Sequence, residues 1–169
     1  MSLPHKWFTK PLYKRLVRPL LPRNISIRLH FRYRIGKPLN LHHPMTFSEK
    51  IQWIKLYDKN PLMPLYADKY EVRNVVRSKV GTHILNELYG VFESVDEIDF
   101  DLLPESFVLK ANHASGWNVI VRNKSALDVE ETKKKMKKWL TSRYGERKME
   151  WAYENIPARI VCELSLIHI

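Results

Sequence analysis

The stretch that decides the fold is FVLKANHASGWNVIVRN, residues 107–123. It contains two apolar segments, Phe107–Asn112 and Trp117–Asn123, separated by only the four residues His113–Gly116. A connection this short is unable to carry a parallel strand back across a sheet, whereas a four-residue loop with a glycine suits a β-hairpin. The segment therefore predicts two neighbouring antiparallel strands.

Two further strands are predicted on either side of this hairpin. Leu88–Phe92 has the apolar pattern of a short strand, and Arg159–Leu164 reads as an apolar strand near the end of the chain. Helical patterns lie between and before these strands. The sequence therefore predicts an α+β fold, in which helices pack on an antiparallel sheet.

Three helices are predicted from residue 46 onward, because apolar residues at helical spacing follow a polar residue placed to cap the first turn. They run from Thr46 to before Pro61, from Asp68 to Gly81, and from Asp128 to Leu140. Thr46 and Asp68 are each followed three residues later by a glutamate. The apolar residues are Phe47, Ile51 and Ile54 in the first helix, Val72, Val75 and Val76 in the second, and Val129, Met136 and Leu140, expected to be buried, in the third.

Lys110 lies on a predicted strand that is followed directly by a loop of small residues. Loop N–H and hydroxyl groups beside a rigidly held lysine are physically suited to a triphosphate. The glycine spacing and the Lys-Ser/Thr pair of a Walker loop are absent, so this would be a different phosphate-binding design. On spacing alone, an ordinary hairpin with a polar turn remains the stronger interpretation.

Composition limits the class of protein. With 169 residues and 44% hydrophobic content, the chain is long enough and apolar enough for a globular core. The single cysteine, Cys162, excludes an intrachain disulfide and a thiolate-rich zinc site. No bilayer-spanning run or signal-peptide pattern is evident, so a cytoplasmic location is predicted. Tryptophans in apolar patterns are expected in the core, and this applies to Trp53, Trp117, Trp139 and Trp151.

The net charge of +11 is concentrated near the N-terminus. Residues 1–48 contain ten Lys/Arg and no Asp or Glu. We interpret residues 1–44 as a basic helical arm, with an amphipathic helix over residues 7–18 and a second helical piece over Ile25–Tyr33. An anionic membrane surface is the first expected partner, reached through residues 1–40 on the inner membrane face. A biosynthetic protein partner is the second expectation, and nucleic acid is the least favoured because no reading motif is present.

Several segments together resemble one family. In order, these segments are TFSEKIQW (46–53), LYD (56–58), ADKYEVR (67–73), FVLK (107–110), NH (112–113) and SGWN (115–118). They resemble the TupA-like ATP-grasp family, which is associated with teichuronopeptide and other cell-surface polysaccharide biosynthesis. The resemblance extends over roughly residues 45–163.

This resemblance implies a ligase-type reaction with ATP and Mg²⁺, in which a carboxylate becomes an acyl phosphate that an amine attacks. It also implies nucleotide-binding roles. Lys110 is similar to the strand lysine on the phosphates, and Lys69 to a second nucleotide-contacting lysine. Ser115 and Gly116 are similar to the cover over the triphosphate, with His113 beside them. Glu163 corresponds to the strand end that leads to the adenine.

Two departures from the family pattern qualify these expectations. Ala114 replaces a frequent glycine, which is expected to stiffen the loop. Residues 165–169 do not resemble the family, so residues 45–164 are interpreted as the first, incomplete half of the domain, followed by an unrelated tail. On this interpretation the metal ligands lie beyond the chain, and the fragment is inactive. The alternative is a non-catalytic basic module that binds anionic membrane or nucleic acid.

Overall fold

A computed structural model describes residues 20–165. The chain divides into two compact units between Asn60 and Pro61, and each unit is described by itself. The helix expected over residues 7–18 and almost all of the tail from 165 to 169 lie outside the described residues. Within the described part, no helix combines the length and apolar character needed to cross a bilayer.

The described part of the first unit, residues 20–60, contains the helices α1 (Arg23–Ile35) and α2 (Phe47–Tyr57). The helical piece predicted over Ile25–Tyr33 is therefore confirmed and extends slightly further. α1 ends at Gly36, whose φ of 79° is left-handed, a conformation that glycine adopts without strain. α1 buries only Ser26, Ile27 and Phe31.

The predicted start of α2 is confirmed in detail. The Thr46 hydroxyl accepts a hydrogen bond from the Glu49 N–H at 3.3 Å, and the Glu49 carboxylate accepts one from the Thr46 N–H at 2.9 Å. This reciprocal capping box satisfies two donors that the helix itself leaves unpaired. However, α2 has no buried residue, and Trp53 is 40% exposed, so its predicted core position is wrong.

The second unit is built on a four-stranded antiparallel sheet. Its strands are β1 (Leu88–Phe92), β2 (Phe107–Ala111), β3 (Asn118–Val121) and β4 (Ile160–Glu163). Their order is β1-β4-β2-β3, so the last strand lies between the first and the second. All four predicted strands and the hairpin are confirmed: β1 has the predicted bounds, and the ends of the other strands shift by at most two residues. The α+β class is confirmed as well.

The two faces of the sheet differ because successive side chains point in opposite directions. On one face Phe107, Leu109 and Cys162 belong to the hydrophobic core, together with Met136 and Trp139. Met136 and Trp139 belong to α5 (Val129–Leu140), whose first turn is capped by the Asp128 carboxylate at 2.8 Å from the Glu131 N–H. The opposite face carries Val108, Lys110, Val161 and Glu163.

The helices of the second unit depart from prediction at three points. α3 (Leu62–Ala67) was not predicted, and its prolines occupy first-turn positions where a missing N–H costs nothing. α4 (Val72–Lys79) begins four residues after Asp68, which is not its N-cap. α6 (Tyr144–Lys148), which follows α5 closely, was not predicted either. In α5 the buried residues are Thr132, Met136 and Trp139, while Val129 and Leu140 are partly buried against the core.

Candidate functional site

Lys110 and Glu163 form an ion pair on the face of the sheet opposite the core. They come from neighbouring strands, since Val108 lies opposite Glu163 and Lys110 lies opposite Val161 in the β2–β4 register. The two side chains are therefore diagonal neighbours. The Lys110 side chain is 27% exposed, whereas that of Glu163 is only 8% exposed. Solvent reaches the lysine more readily than the carboxylate.

Arg73, on α4, is a second cationic partner of Glu163. Its Nη1 lies 3.3 Å from Glu163 Oε2, and its Nη2 donates to the Asn86 carbonyl oxygen at 2.5 Å. Its Nε is buried and has no hydrogen-bond partner within residues 20–165. The carboxylate of Glu163 is thus held between two cations. A buried carboxylate requires such compensation.

Lys69 lies across the turn that follows β2. Its Nζ donates to the Ala111 carbonyl oxygen at 2.9 Å and also to that of Ala114. Burial and, next, the positive charge of Lys110 lower the pKa of Lys69, while Asp68 and Glu163 oppose this shift. The positive charge of Lys110 thus acts against the charged form of Lys69. Through its two hydrogen bonds, Lys69 ties the segment before α4 to the turn after β2.

A buried polar hub fixes Lys69 in place. The Asn112 amide, fully buried, donates to both Asp68 carboxylate oxygens at 3.1 and 3.0 Å and to the Pro157 carbonyl oxygen at 2.9 Å. Its oxygen accepts from the Arg159 N–H at 2.8 Å. Asp68 in turn accepts from the Tyr70 N–H at 2.8 Å. The hub joins the turn before α4 to the ends of β2 and β4.

His113 is buried beneath the loop between β2 and β3. Its Nδ1 lies 3.2 Å from the Asn112 side-chain oxygen, and its Nε2 lies 3.2 Å from the Trp139 carbonyl oxygen. The ring also meets Trp117 edge-on, with centroids 5.8 Å apart. Burial lowers the pKa of His113, although the hydrogen bond with Trp139 acts in the opposite direction. The imidazole is thus directed into the protein.

The tip of the same loop is open. Ser115 and Gly116 are exposed, and within the described residues neither has a hydrogen-bond partner. Gly116 has a φ of 75°, and a Cβ at this position would have no atom within 4 Å. Ala114, by contrast, is fully buried in the core. The alanine therefore anchors the base of the loop, while the tip keeps free N–H groups.

The structure thus separates the six residues expected at a nucleotide site into three groups. Lys110 pairs with Glu163 while Lys69 bonds to the turn after β2, the Ser115–Gly116 tip is exposed, and His113 lies inward. The sequence predicted a helix-capping role for Asp68 and no individual role for Arg73 or Asn112. The only available signal for Arg73 and Asn112 was that both lie in the segments that resemble the family.

The sequence profile of the family described as TupA-like ATPgrasp matches residues 49–166, more than two thirds of the chain. The chain belongs to the TupA-like ATP-grasp family. Comparisons with curated proteins and with solved structures give no match. The matched range contains all of the residues that meet around Glu163, together with the loop tip of this ATP-grasp chain.

Mg²⁺ is the metal ion expected to accompany ATP in an ATP-grasp protein. This ion offsets phosphate charge and is held by oxygen ligands. Residues 20–165 contain no group of three or more His, Cys, Asp or Glu side chains that could hold a metal ion. We therefore assign no Mg²⁺ ligand to them. The cationic residues, by contrast, suit the phosphates themselves.

Proposed function

We propose that residues 61–165 bind the triphosphate of ATP through Lys110, Lys69 and the Ser115–Gly116 loop tip. The observation that carries the proposal is that the Lys69 ammonium group bonds to the Ala111 and Ala114 carbonyl oxygens of the turn that follows the Lys110 strand, and that this turn has an exposed tip, Ser115–Gly116, with unpartnered N–H groups. Cations and backbone N–H groups together make the usual protein environment for phosphate oxygens. The family supplies the nucleotide, since ATP-grasp proteins use ATP.

Binding requires Lys110 to exchange one anionic partner for another. Its ammonium group pairs with Glu163 in the structure, and a phosphate oxygen would take the place of that carboxylate. Arg73 remains on Glu163 at 3.3 Å, so the carboxylate is not left buried without a cation. Arg73 therefore lowers the free-energy cost of moving Lys110 from Glu163 to a phosphate oxygen. Lys69 adds positive charge at the turn after β2, without itself pairing with Glu163.

The reaction proposed for the protein is ATP-dependent ligation of a carboxylate and an amine. The γ-phosphoryl group passes to a carboxylate oxygen, which releases ADP and gives an acyl phosphate. The amine nitrogen then attacks the acyl carbon, forming an amide bond and releasing inorganic phosphate and a proton. Positive charge near the phosphates stabilises this transfer. We propose a cell-surface glycan, or its amino-acid decoration, as the substrate class.

The test of the site is ATP affinity, measured by calorimetry on the full chain. Lys110→Ala removes a charge-assisted contact, and affinity should fall about tenfold to a hundredfold. Ser115→Ala removes an exposed hydroxyl, and affinity should fall a few-fold while stability stays the same.

Lys137→Ala is the matched control, because Lys137 also pairs with a carboxylate, that of Asp96 at 3.0 Å, but lies on α5. Its affinity should equal that of the parent protein. The proposal fails if the parent chain does not bind ATP. It also fails if Lys110→Ala binds ATP as tightly as Lys137→Ala does.

A further inference from the structure

The division of the molecule into two units also divides its charge. Residues 1–60 contain thirteen Lys/Arg and two Asp/Glu, a net charge of +11, whereas residues 61–169 contain sixteen of each. The entire net charge of the protein therefore belongs to the first unit. An electrically neutral unit that carries the proposed ATP site is joined to a strongly cationic one. Such a concentration of one sign of charge favours an anionic partner.

The exposed face of α1 combines this charge with apolar side chains. Ile25, Arg28, Arg32 and Ile35 are all exposed and follow one another at intervals of three, four and three residues. Residues at this spacing share one side of a helix, and here that side borders the buried Phe31, which lies three residues after Arg28 and four before Ile35. Ile25 is 41% exposed and Ile35 is 50% exposed. A purely solvated face would not place isoleucines beside its arginines.

α2 and the residue before its cap expose further large apolar side chains. Met45 and Phe47 are each 79% exposed, on either side of the capping residue Thr46. Trp53 and Tyr57 form a ring pair with centroids 5.4 Å apart, and both are exposed. Tryptophan and tyrosine are favoured where an apolar phase meets water, because one end of each ring system is polar. Apolar surface of this extent indicates a contact surface.

We propose that residues 20–60 dock on the surface of an anionic lipid bilayer. Arginines would face the lipid headgroups, while Ile25, Ile35 and Phe47 would enter the boundary between headgroups and acyl chains. Nucleic acid would satisfy the arginines but would leave the isoleucines and Phe47 in water. The combination of cations with exposed apolar side chains therefore favours lipid. Docking would hold the second unit near substrates at the membrane surface.

The experiment is flotation of the full chain with phosphatidylcholine vesicles and with vesicles that also contain phosphatidylglycerol. Each arginine near an anionic surface contributes about a fivefold factor to partitioning, so Arg28→Gln combined with Arg32→Gln should weaken it roughly 30-fold. Lys134→Gln combined with Lys138→Gln removes the same charge from exposed residues of α5 and should have little effect on partitioning. Added salt should weaken partitioning of the parent protein.

A second pair of variants tests the apolar contact. Phe47→Ser should reduce partitioning about tenfold, because an inserted ring is lost. Leu102→Ser is its control, since Leu102 is 83% exposed but lies in the neutral unit. Circular dichroism verifies that each variant is folded. The proposal is refuted if the protein ignores anionic lipid, or if test and control variants behave alike. It is also refuted if an oligonucleotide binds more tightly than vesicles and Phe47→Ser has no effect.

Discussion

Replacing Asn112 with alanine should remove a large part of the stability of the second unit. The Asn112 side chain is fully buried and bonds to the Asp68 carboxylate at 3.0 and 3.1 Å, to the Pro157 carbonyl oxygen at 2.9 Å and to the Arg159 N–H at 2.8 Å. Loss of a hydrogen bond to a charged group costs about 1.5–3 kcal/mol, and an unsatisfied buried N–H costs about 1–3 kcal/mol. Asp68 keeps its bond from the Tyr70 N–H. The free energy of unfolding should therefore fall by roughly 3–5 kcal/mol.

Urea unfolding of the full chain, followed by tryptophan fluorescence, measures this change. With a typical slope of about 1–3 kcal/mol per molar urea, the midpoint should fall by about 2 M. Asn74→Ala is the matched control, because Asn74 is exposed on α4, and it should change stability by no more than about 0.5 kcal/mol. Asp68→Ala and the double variant complete a cycle whose coupling should exceed about 1 kcal/mol. A loss below that value for Asn112→Ala, or strict additivity with Asp68→Ala, refutes the role of the hub.

Three further outcomes follow from the environments of single residues. Burial lowers the pKa of His113 below its ordinary 6.5, so the unfolded chain binds this proton more readily and stability falls as the pH drops below about 6.5. Urea midpoints measured at several pH values should decrease as the pH falls below about 6.5, and His113→Gln should make this decrease smaller. Gly145→Ala would place a Cβ 2.7 Å from the Glu154 backbone nitrogen and 2.9 Å from the Glu150 carbonyl oxygen. Its urea midpoint should show a loss of about 1–3 kcal/mol, and an unchanged midpoint would contradict the packing described. Burial raises the pKa of the Cys162 thiol to about 12, so iodoacetamide should label Cys162 only after urea unfolds the chain. Complete labelling of the native protein would show that this core position is accessible.

The hairpin was predictable because its information is local. Two apolar segments joined by a four-residue loop are sufficient to predict β2 and β3 as antiparallel neighbours. The place of β4 was not predictable in the same way. It pairs with β1 and β2, which lie far away in the sequence, and its apolar pattern does not specify which strands accept it. The ion pair of Lys110 and Glu163 depends on that order.

Asp68 shows how a correct local rule gives a wrong boundary. Its position before an apolar helical pattern, with Glu71 three residues later, is a capping signal. The carboxylate does accept N–H groups of the following turn, at 2.8 Å from Tyr70 and 3.3 Å from Glu71. However, α4 begins only at Val72, and Asp68 is also bonded to Asn112, 44 residues later. A local pattern carries no information about a partner at that distance.

α2 illustrates a different limit of the same reasoning. The apolar spacing of Phe47, Ile51 and Ile54 correctly predicted a helix, and the capping box correctly predicted its first residue. The usual next step is to assume that the apolar side of a helix is covered by the protein, yet α2 buries none of its residues. Periodicity identifies which side of a helix requires an apolar environment, but it does not identify what supplies that environment. In a unit with a net charge of +11, an anionic bilayer would supply both the apolar environment and the opposite charge. For this reason the Phe47→Ser and Leu102→Ser pair is the decisive comparison: unequal loss of vesicle binding identifies lipid as the cover, and equal behaviour excludes it.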